Sequence, residues 1–370
     1  MICTKKNLVF HDQFQVQLLS DCIKLQNTKK MVQYTLRLHE NSLIDWKISK
    51  NQKKINGFSI LINDKWEYFE MEQTHLELFK QFLNAKISYQ NIHNLYKMIS
   101  FCGRGTYGYV FKYQNRINGE FVACKSLKIG STNTHQVFMK EVKTLQTLKH
   151  PSIVKMKEFY VETQHFYIVM EFMEGKSLRE LLREKTFNDK EIIIILKQIL
   201  NCINYIHKEG YVYRDLKQEN VLFAEYGNLN TLKLIDFGLA TQLNELRNQV
   251  HRICGTPGYL APEVLNFERP LDYKIDMFSL GVILWEMIHN QRFFEGSDLD
   301  AQEILNSKYK FSIDFTKNIE NKVLKYLVEK MIHHNPEYRI TATDALNYLD
   351  QNYMNSCENL KENDNNISTD

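Results

Sequence analysis

Between Tyr211 and Leu222 the chain sets Arg214, Asp215, Lys217 and Asn220 between the apolar pairs Tyr211/Val212 and Val221/Leu222. The flanks read as two short strands, so a charged loop sits between anchored ends. A carboxylate, an ammonium and an amide on one loop suit proton transfer and the handling of charged substrates. Upstream, Gly103-Arg104-Gly105-Thr106-Tyr107-Gly108-Tyr109-Val110 is a glycine-rich stretch whose backbone can lie close over phosphates, where a Cβ would collide. That pattern also serves dinucleotide folds, but there a helix follows at once. Here Val110–Lys112 and Glu120–Lys125 read as a strand pair, turning at Asn118-Gly119.

The elements that must hold these groups follow in order. Val122-Ala123-Cys124-Lys125 precedes a helical segment, Thr134–Leu148, that carries Glu141. Taken alone, a Lys–Glu pair is a surface pair of little weight; its place after a glycine loop reverses that reading. His150-Pro151 ends the helix. Phe166–Phe172 is an apolar strand running into Met173-Glu174-Gly175. Asn188-Asp189-Lys190-Glu191 is a helix start, and Ile192–His207 is apolar enough to be buried. A strand, Leu232–Ile235, leads into Asp236-Phe237-Gly238. Helical segments near Lys274–Met287, Ala301–Lys308, Glu320–Ile332 and Thr341–Leu349 close the unit.

From Lys97 to near Tyr353 these parts stand in the order of the eukaryotic protein kinases. The chain resembles that family in its Ser/Thr form and is closest in pattern to the calcium/calmodulin-dependent group. The resemblance implies ATP and Mg2+. Gly103, Arg104, Gly105, Thr106, Tyr107 and Gly108 would cover the phosphates, with Lys125 on the α- and β-phosphates and Glu141 aiming it. Val110, Ala123 and Leu222 would sandwich the adenine, Met170 would back the pocket, and Glu171 to Met173 would offer backbone groups. Asn220 and Asp236 would hold the metal, since magnesium takes hard oxygen ligands. Asp215 would accept the substrate proton, with Lys217 beside the transferred group. Lys217 is the Ser/Thr form, and Gly255-Thr256 agrees with it. The resemblance also pairs Glu263 with Arg339 in the interior and stacks Leu145, Met156, Tyr213 and Phe237. The rival reading, a kinase-fold scaffold or a lipid- or partner-binding adaptor, needs Lys125, Asp215 or Asp236 to be missing; all three are present.

Departures from the family pattern bear on regulation. Tyr213 replaces a histidine, Gln218 a proline and Phe278 a tryptophan, all read as harmless. Arg214 precedes Asp215, the arrangement that receives an activation-loop phosphate, yet no Ser, Thr or Tyr lies between Gln242 and Gly255. The position of the usual phosphothreonine, near Arg252, is basic; Glu245 is the candidate charge substitute. Ser177 stands where basophilic kinases use a glutamate for a substrate arginine, while Glu219 keeps the second acidic contact.

Residues 8–87 read as a separate unit. Tyr34/Leu36/Leu38, Trp46/Ile48, Phe58/Ile60/Ile62 and Trp66/Tyr68 alternate with polar residues, with turns at Asn56-Gly57 and Asn63-Asp64. Thr74–Glu77 reads as a capping box, with Leu76, Phe79 and Leu83 on one helical stripe. The pattern resembles a pleckstrin-homology-type barrel closed by one helix. The expected fold class is thus α+β: a small antiparallel β barrel-like unit, then a bilobal kinase fold over 97–353, then a disordered polar tail over 354–370. Docking to anionic lipid would use Lys29/Lys30 and Lys53/Lys54, against the plainer reading of solvated loop charges.

The 370 residues are 44% hydrophobic and 25% charged, with a net charge of +3. That balance argues against a nucleic-acid binder and for globular domains. Seven scattered cysteines without a Cys-x-x-Cys point to a reduced compartment and no zinc site. Cys124 and Cys254, which by the resemblance flank the active site, read as packed thiols rather than redox sensors. No apolar run reaches the roughly 18–20 residues of a membrane span. Protein substrates, a cytoplasmic setting and, for want of a basic amphipathic helix after the lobe, no calmodulin dependence are expected.

Overall fold

The computed structural model describes residues 1–6, 11–39, 42–49, 54–130, 133–248, 253–266, 270–294 and 313–352. Lys53, Arg252, the segment Ala301–Lys308 and the tail over 354–370 lie outside them. The chain forms two compact units: Met1–Lys149 with Lys155–Phe172, and His150–Val154 with the chain from Met173 onward.

The first unit is built on one sheet of thirteen strands. They are β1 Ile2–Lys6, β2 His11–Leu18, β3 Cys22–Asn27, β4 Gln33–Arg37, β5 Leu43–Ile48, β6 Ile55–Ile62, β7 Lys65–Met71, β8 Ser88–Gln90, β9 Tyr96–Arg104, β10 Tyr109–Asn115, β11 Phe121–Lys128, β12 Met156–Val161 and β13 His165–Glu171. Their order is β4-β3-β2-β1-β7-β6-β5-β8-β12-β13-β11-β10-β9. All neighbours are antiparallel except at β8, which pairs parallel with both β5 and β12. The strand-rich antiparallel region expected at the N-terminus is therefore present, but among the described residues it is an open sheet rather than a closed barrel. Through β8 it continues into the strands that carry the glycine loop and Lys125.

Helix α1, Gln73–Leu83, buries Leu76, Phe79 and Leu83 as the stripe requires. Phe79 packs 4.6 Å from Phe58 and 6.2 Å from Trp46, ring centre to ring centre. The capping box at Thr74–Glu77 is not formed. The helix begins two residues earlier, with Glu72 at the cap position and Leu76 N already donating to Glu72 O at 2.9 Å, and Gln73 engages the Glu77 side chain at 3.1 Å. Asn63 and Asp64, with φ of 49° and 61°, make the β6–β7 turn as expected. Asn56-Gly57 does not turn: it lies inside β6, where a Cβ on Gly57 would stand 2.2 Å from Phe69 O. The glycine serves close strand approach instead.

The stretch 89–97, which reads as a polar joint, holds the end of β8 and the one-turn helix α2, Ile92–Leu95. Tyr89, Ile92, Leu95 and Tyr96 are buried in the core shared by the whole unit, while Asn91, His93 and Asn94 face outward. Helix α3, Thr134–Thr147, buries Glu141, Val142 and Leu145.

The second unit is helical apart from two short ribbons. Helix α4, Leu178–Glu184, is capped by Ser177 with Glu180, and α5, Asp189–Lys208, by Asn188 with Glu191; both are complete capping boxes. Tyr211–Val212 pairs with Thr241–Gln242, and Val221–Phe223 pairs with Leu232–Leu234. These ribbons pin both ends of the loop that carries Asp215. The helix Lys274–His289 is apolar on nearly every side and forms the centre of the unit. No helix of the described residues is long and apolar enough to cross a membrane.

Candidate active site

In the first unit the glycine stretch forms the β9–β10 turn, closed by Gly105 N donating to Gly108 O at 2.8 Å. The glycines differ in their reasons. A Cβ on Gly108 would stand 2.3 Å from Ser126 O on β11, so protein packing alone forbids it. A Cβ on Gly103 would meet nothing within 4 Å, which leaves open space above that strand. Arg104, Thr106 and Tyr107 are exposed at the turn.

Cross-strand register places the neighbouring positions. Val110 lies opposite Lys125, and Ala123 opposite Met170; Val110 and Ala123 are half-buried. Glu171 is tied back to the residue that precedes β12, its carboxylate accepting from Lys155 N at 2.6 Å. The Lys125 ammonium donates to both oxygens of Glu141, at 2.7 and 2.8 Å, with each residue 1% exposed. An ammonium so deeply placed is held by its partner and has little freedom of aim. Cys124, beside it, is packed, and burial pushes its thiol far up.

In the second unit Asp215 is the centre of a closed network. Its Oδ1 accepts from Thr256 Oγ1 at 2.6 Å. Its Oδ2 accepts from Lys217 Nζ at 2.9 Å and Asn220 Nδ2 at 3.0 Å. Lys217 also donates to Thr256 Oγ1 at 2.8 Å, and Asn220 Nδ2 to the Asp215 carbonyl at 2.8 Å. Below the loop, Asp276 accepts from Tyr213 N and Arg214 N, each at 2.8 Å, and stands 2.9 Å from His207 Nε2. Arg214 has φ of 71°, a left-handed conformation that a non-glycine residue adopts only when held. The hydrogen bonds that Tyr213 N and Arg214 N donate to the Asp276 carboxylate hold it. Gly255, with φ of 123°, lies against this turn; a Cβ there would stand 2.9 Å from Arg214 O.

Asp236 follows directly. Ile235 N donates to Asn220 O at 3.0 Å, so the two segments run side by side, and Asp236 takes φ of 57°. With its nitrogen spent on Asp215, Asn220 keeps its amide oxygen for other use. Tyr213 donates to Ile235 O and packs edge-on against Phe237, 5.0 Å between ring centres. Met173 is buried and Leu222 half-buried. Further along, Arg339 meets Glu263 with both terminal nitrogens, at 2.6 and 3.0 Å, and lies 5.2 Å over Phe278. That is the buried pair expected from the sequence.

Four residues escaped the sequence reading. Gln218, taken there as a tolerable stand-in for proline, is 2% exposed and donates to Glu286 at 2.6 Å. Tyr259 donates to the same carboxylate oxygen at 2.9 Å, and Arg292 reaches Glu286, Tyr259 and Glu219. Burial pushes the Glu286 carboxyl upward against these donors. Nothing in the sequence marked Glu286 or Arg292: they reach each other locally, but Gln218, Glu219 and Tyr259, which complete the cluster, are far away in sequence. Ser177 is occupied as the cap of α4. Of the four lysines considered for lipid, Lys30 is paired with Asp12 at 2.8 Å.

The Protein kinase domain family matches residues 96–349, and the chain belongs to that family. Calcium-dependent protein kinase 4 of Plasmodium berghei is 33% identical over 272 residues, which is 72% of this chain and 51% of that protein. Serine/threonine-protein kinase cds1 of Schizosaccharomyces pombe is 31% identical over 324 residues, 82% of this chain and 69% of its own. Calcium/calmodulin-dependent protein kinase type 1B of Rattus norvegicus is 28% identical over 264 residues, 70% and 76% of the two chains. The chain thus spans about half the length of the Plasmodium relative, at 51%.

Proposed function

We propose that this chain transfers the γ-phosphoryl group of ATP to Ser or Thr hydroxyls of protein substrates. The observation that carries the reading is the Asp215–Lys217–Thr256 network, a carboxylate fixed at both oxygens beside an ammonium. In phosphoryl transfer the protein's contribution is positioning and charge stabilisation. The glycine turn and Lys125 hold the phosphates, and Glu141 keeps the ammonium aimed. Asp215 orients the acceptor hydroxyl and takes its proton as the oxygen bonds to phosphorus. The bond from the γ-phosphorus to the bridging oxygen breaks, and ADP leaves. Lys217 stabilises negative charge on the group in transit.

The Asn220 amide oxygen and the Asp236 carboxylate on adjoining segments are a hard-oxygen set that fits magnesium. When bound there, Mg2+ supplies neutralisation of the triphosphate. The printed name of the Schizosaccharomyces pombe relative, a serine/threonine-protein kinase, supports Ser/Thr as acceptors. A scaffold that binds without transferring is the reading that fails if transfer is seen. The test is phosphate transfer from γ-labelled ATP by the full chain beside Asp215→Asn. Loss of transfer in the variant, with nucleotide binding retained, is expected; equal transfer by the variant would sink the assignment.

A further inference from the structure

Beside the catalytic loop, two carboxylates are already occupied from within the chain. Glu219, next to Asn220 and 43% exposed in its side chain, lies 3.8 Å from Arg179 Nε and 3.5 Å from Arg292 Nη2. Glu286, buried, takes Gln218, Tyr259 and Arg292 at its oxygens, together with the Phe293 amide. Arg179 also donates to Gln218 Oε1 at 3.4 Å. Arg179 and Arg292 keep 26% and 31% of their side chains exposed, whereas Glu286 keeps 3%.

The groups of this cluster that remain partly exposed are therefore two guanidinium groups and one carboxylate that both of them already touch. A substrate arginine entering at Glu219 would have to displace an internal one and meet the other as a like charge. Arg292 spends one donor on the Tyr259 hydroxyl, but the contacts of the two guanidinium groups with Glu219, Glu286 and Gln218 are long, 3.4–3.8 Å, and each group has five N–H donors, so a substrate carboxylate or phosphate would meet donors to spare.

We propose that Arg179 and Arg292 select acceptor sequences bearing an acidic side chain close to the phosphorylated hydroxyl, and that Glu219 does not serve as a site for substrate arginine. This rests on the kinase reading above. It replaces the residual preference for basic substrates that Glu219 implies in the sequence. The contacts come from three separate places in the chain: the first turn of α4, the catalytic loop, and the segment after helix Lys274–His289. The selectivity is a property of the folded unit rather than of any one motif.

The test compares matched peptide sets with Ala, Arg, Glu or phosphoserine at each flanking position, reading turnover and binding by the full chain. Preference for Glu or phosphoserine over Ala of about fivefold at one or more positions is expected, the size of an exposed charge contact. The preference should fall in Arg179→Ala and reverse toward arginine in Arg179→Glu, a solvent-facing change that spares the buried Glu286. Arg292→Lys keeps the charge and should retain most of it. Preference for arginine, or indifference to charge, in the unaltered chain overturns the proposal. Acidic preference in binding without any transfer would overturn the kinase reading and leave the selectivity standing.

Discussion

Lys80 of α1 and Glu158 of β12 lie 78 positions apart and meet as an ion pair with only 18% and 2% of their side chains exposed. Tyr96 and Tyr160 both donate to the other Glu158 oxygen, at 3.2 and 2.7 Å. The Lys80 ammonium lies 5.9 Å from the ring centres of both Trp46 and Tyr89. The N-terminal strands and the strands bearing Lys125 thus share a sheet, a core and a polar tie. Such a tie fixes one arrangement more than it adds stability, because desolvating two charges offsets most of their attraction.

Removing one partner leaves the other buried without a counter-charge. Lys80→Met or Glu158→Gln should each cost about 3 kcal/mol in denaturant unfolding. Lys80→Met combined with Glu158→Leu should cost clearly less than the sum of the single changes. Additive losses would show that the two side chains are not coupled.

Arg339 and Glu263 form the better geometry, a two-pronged contact inside the second unit. Glu263→Gln and Arg339→Met are expected to lower stability by about 3–5 kcal/mol. A loss under 1 kcal/mol in either variant would mean that the pair is dispensable.

Gln218 gives a smaller, sharper case. Gln218→Leu keeps the volume and removes the donor at 2.6 Å from Glu286. Leaving that buried carboxylate one partner short should cost about 1–3 kcal/mol. Gln218→Glu, which sets like charges face to face, should cost more at pH 7 than at pH 5. Its protonated form can still donate to Glu286.

The kinase-family region of this structure was legible because the family's pattern is carried by local motifs. Type and order singled out the glycine turn, Lys125 with Glu141, Asp215 with Asn220, and Asp236, and the structure brings Lys125 to Glu141 and Asn220 to Asp215. Capping boxes at Ser177 and Asn188 obey local rules as well, although only the second was read. What escaped depends on residues distant in sequence. β8 is three residues long, Ser88–Gln90, and its partners are β5 and β12, so no periodicity announces it. Gly57 looked like a turn residue, when the reason for it is Phe69 on the next strand. Lys80–Glu158 and the Glu219–Glu286–Arg292 cluster are tertiary in the same sense.

Thiol reactivity should follow burial. Burial raises the Cys3 thiol to about 12 and lifts Cys124 and Cys202 further. At pH 8 all three are protonated in the folded chain, and the thiolate is the nucleophile. Brief alkylation followed by peptide mass mapping should mark exposed Cys102 and spare these three until denaturant is added. Early labelling of Cys124 would contradict the packing around Lys125.

Arg214 bears on activation. Its backbone is fixed by Asp276, and the segment from Gln242 to Gly255 has no hydroxyl to phosphorylate. Within that segment, the Glu245 carboxylate accepts from Thr241 at 3.0 Å. The carboxylate at Asp215 is oriented by Thr256, Lys217 and Asn220, all within the chain's own side chains. A switch that acts by adding charge opposite an arginine has no acceptor there. Phosphatase-treated full chain should therefore keep its peptide-kinase rate within about twofold of the untreated chain, a change of under ~0.5 kcal/mol in the barrier. A loss of tenfold or more, restored by incubation with ATP, would place the activating phosphate elsewhere and overturn this account of Arg214.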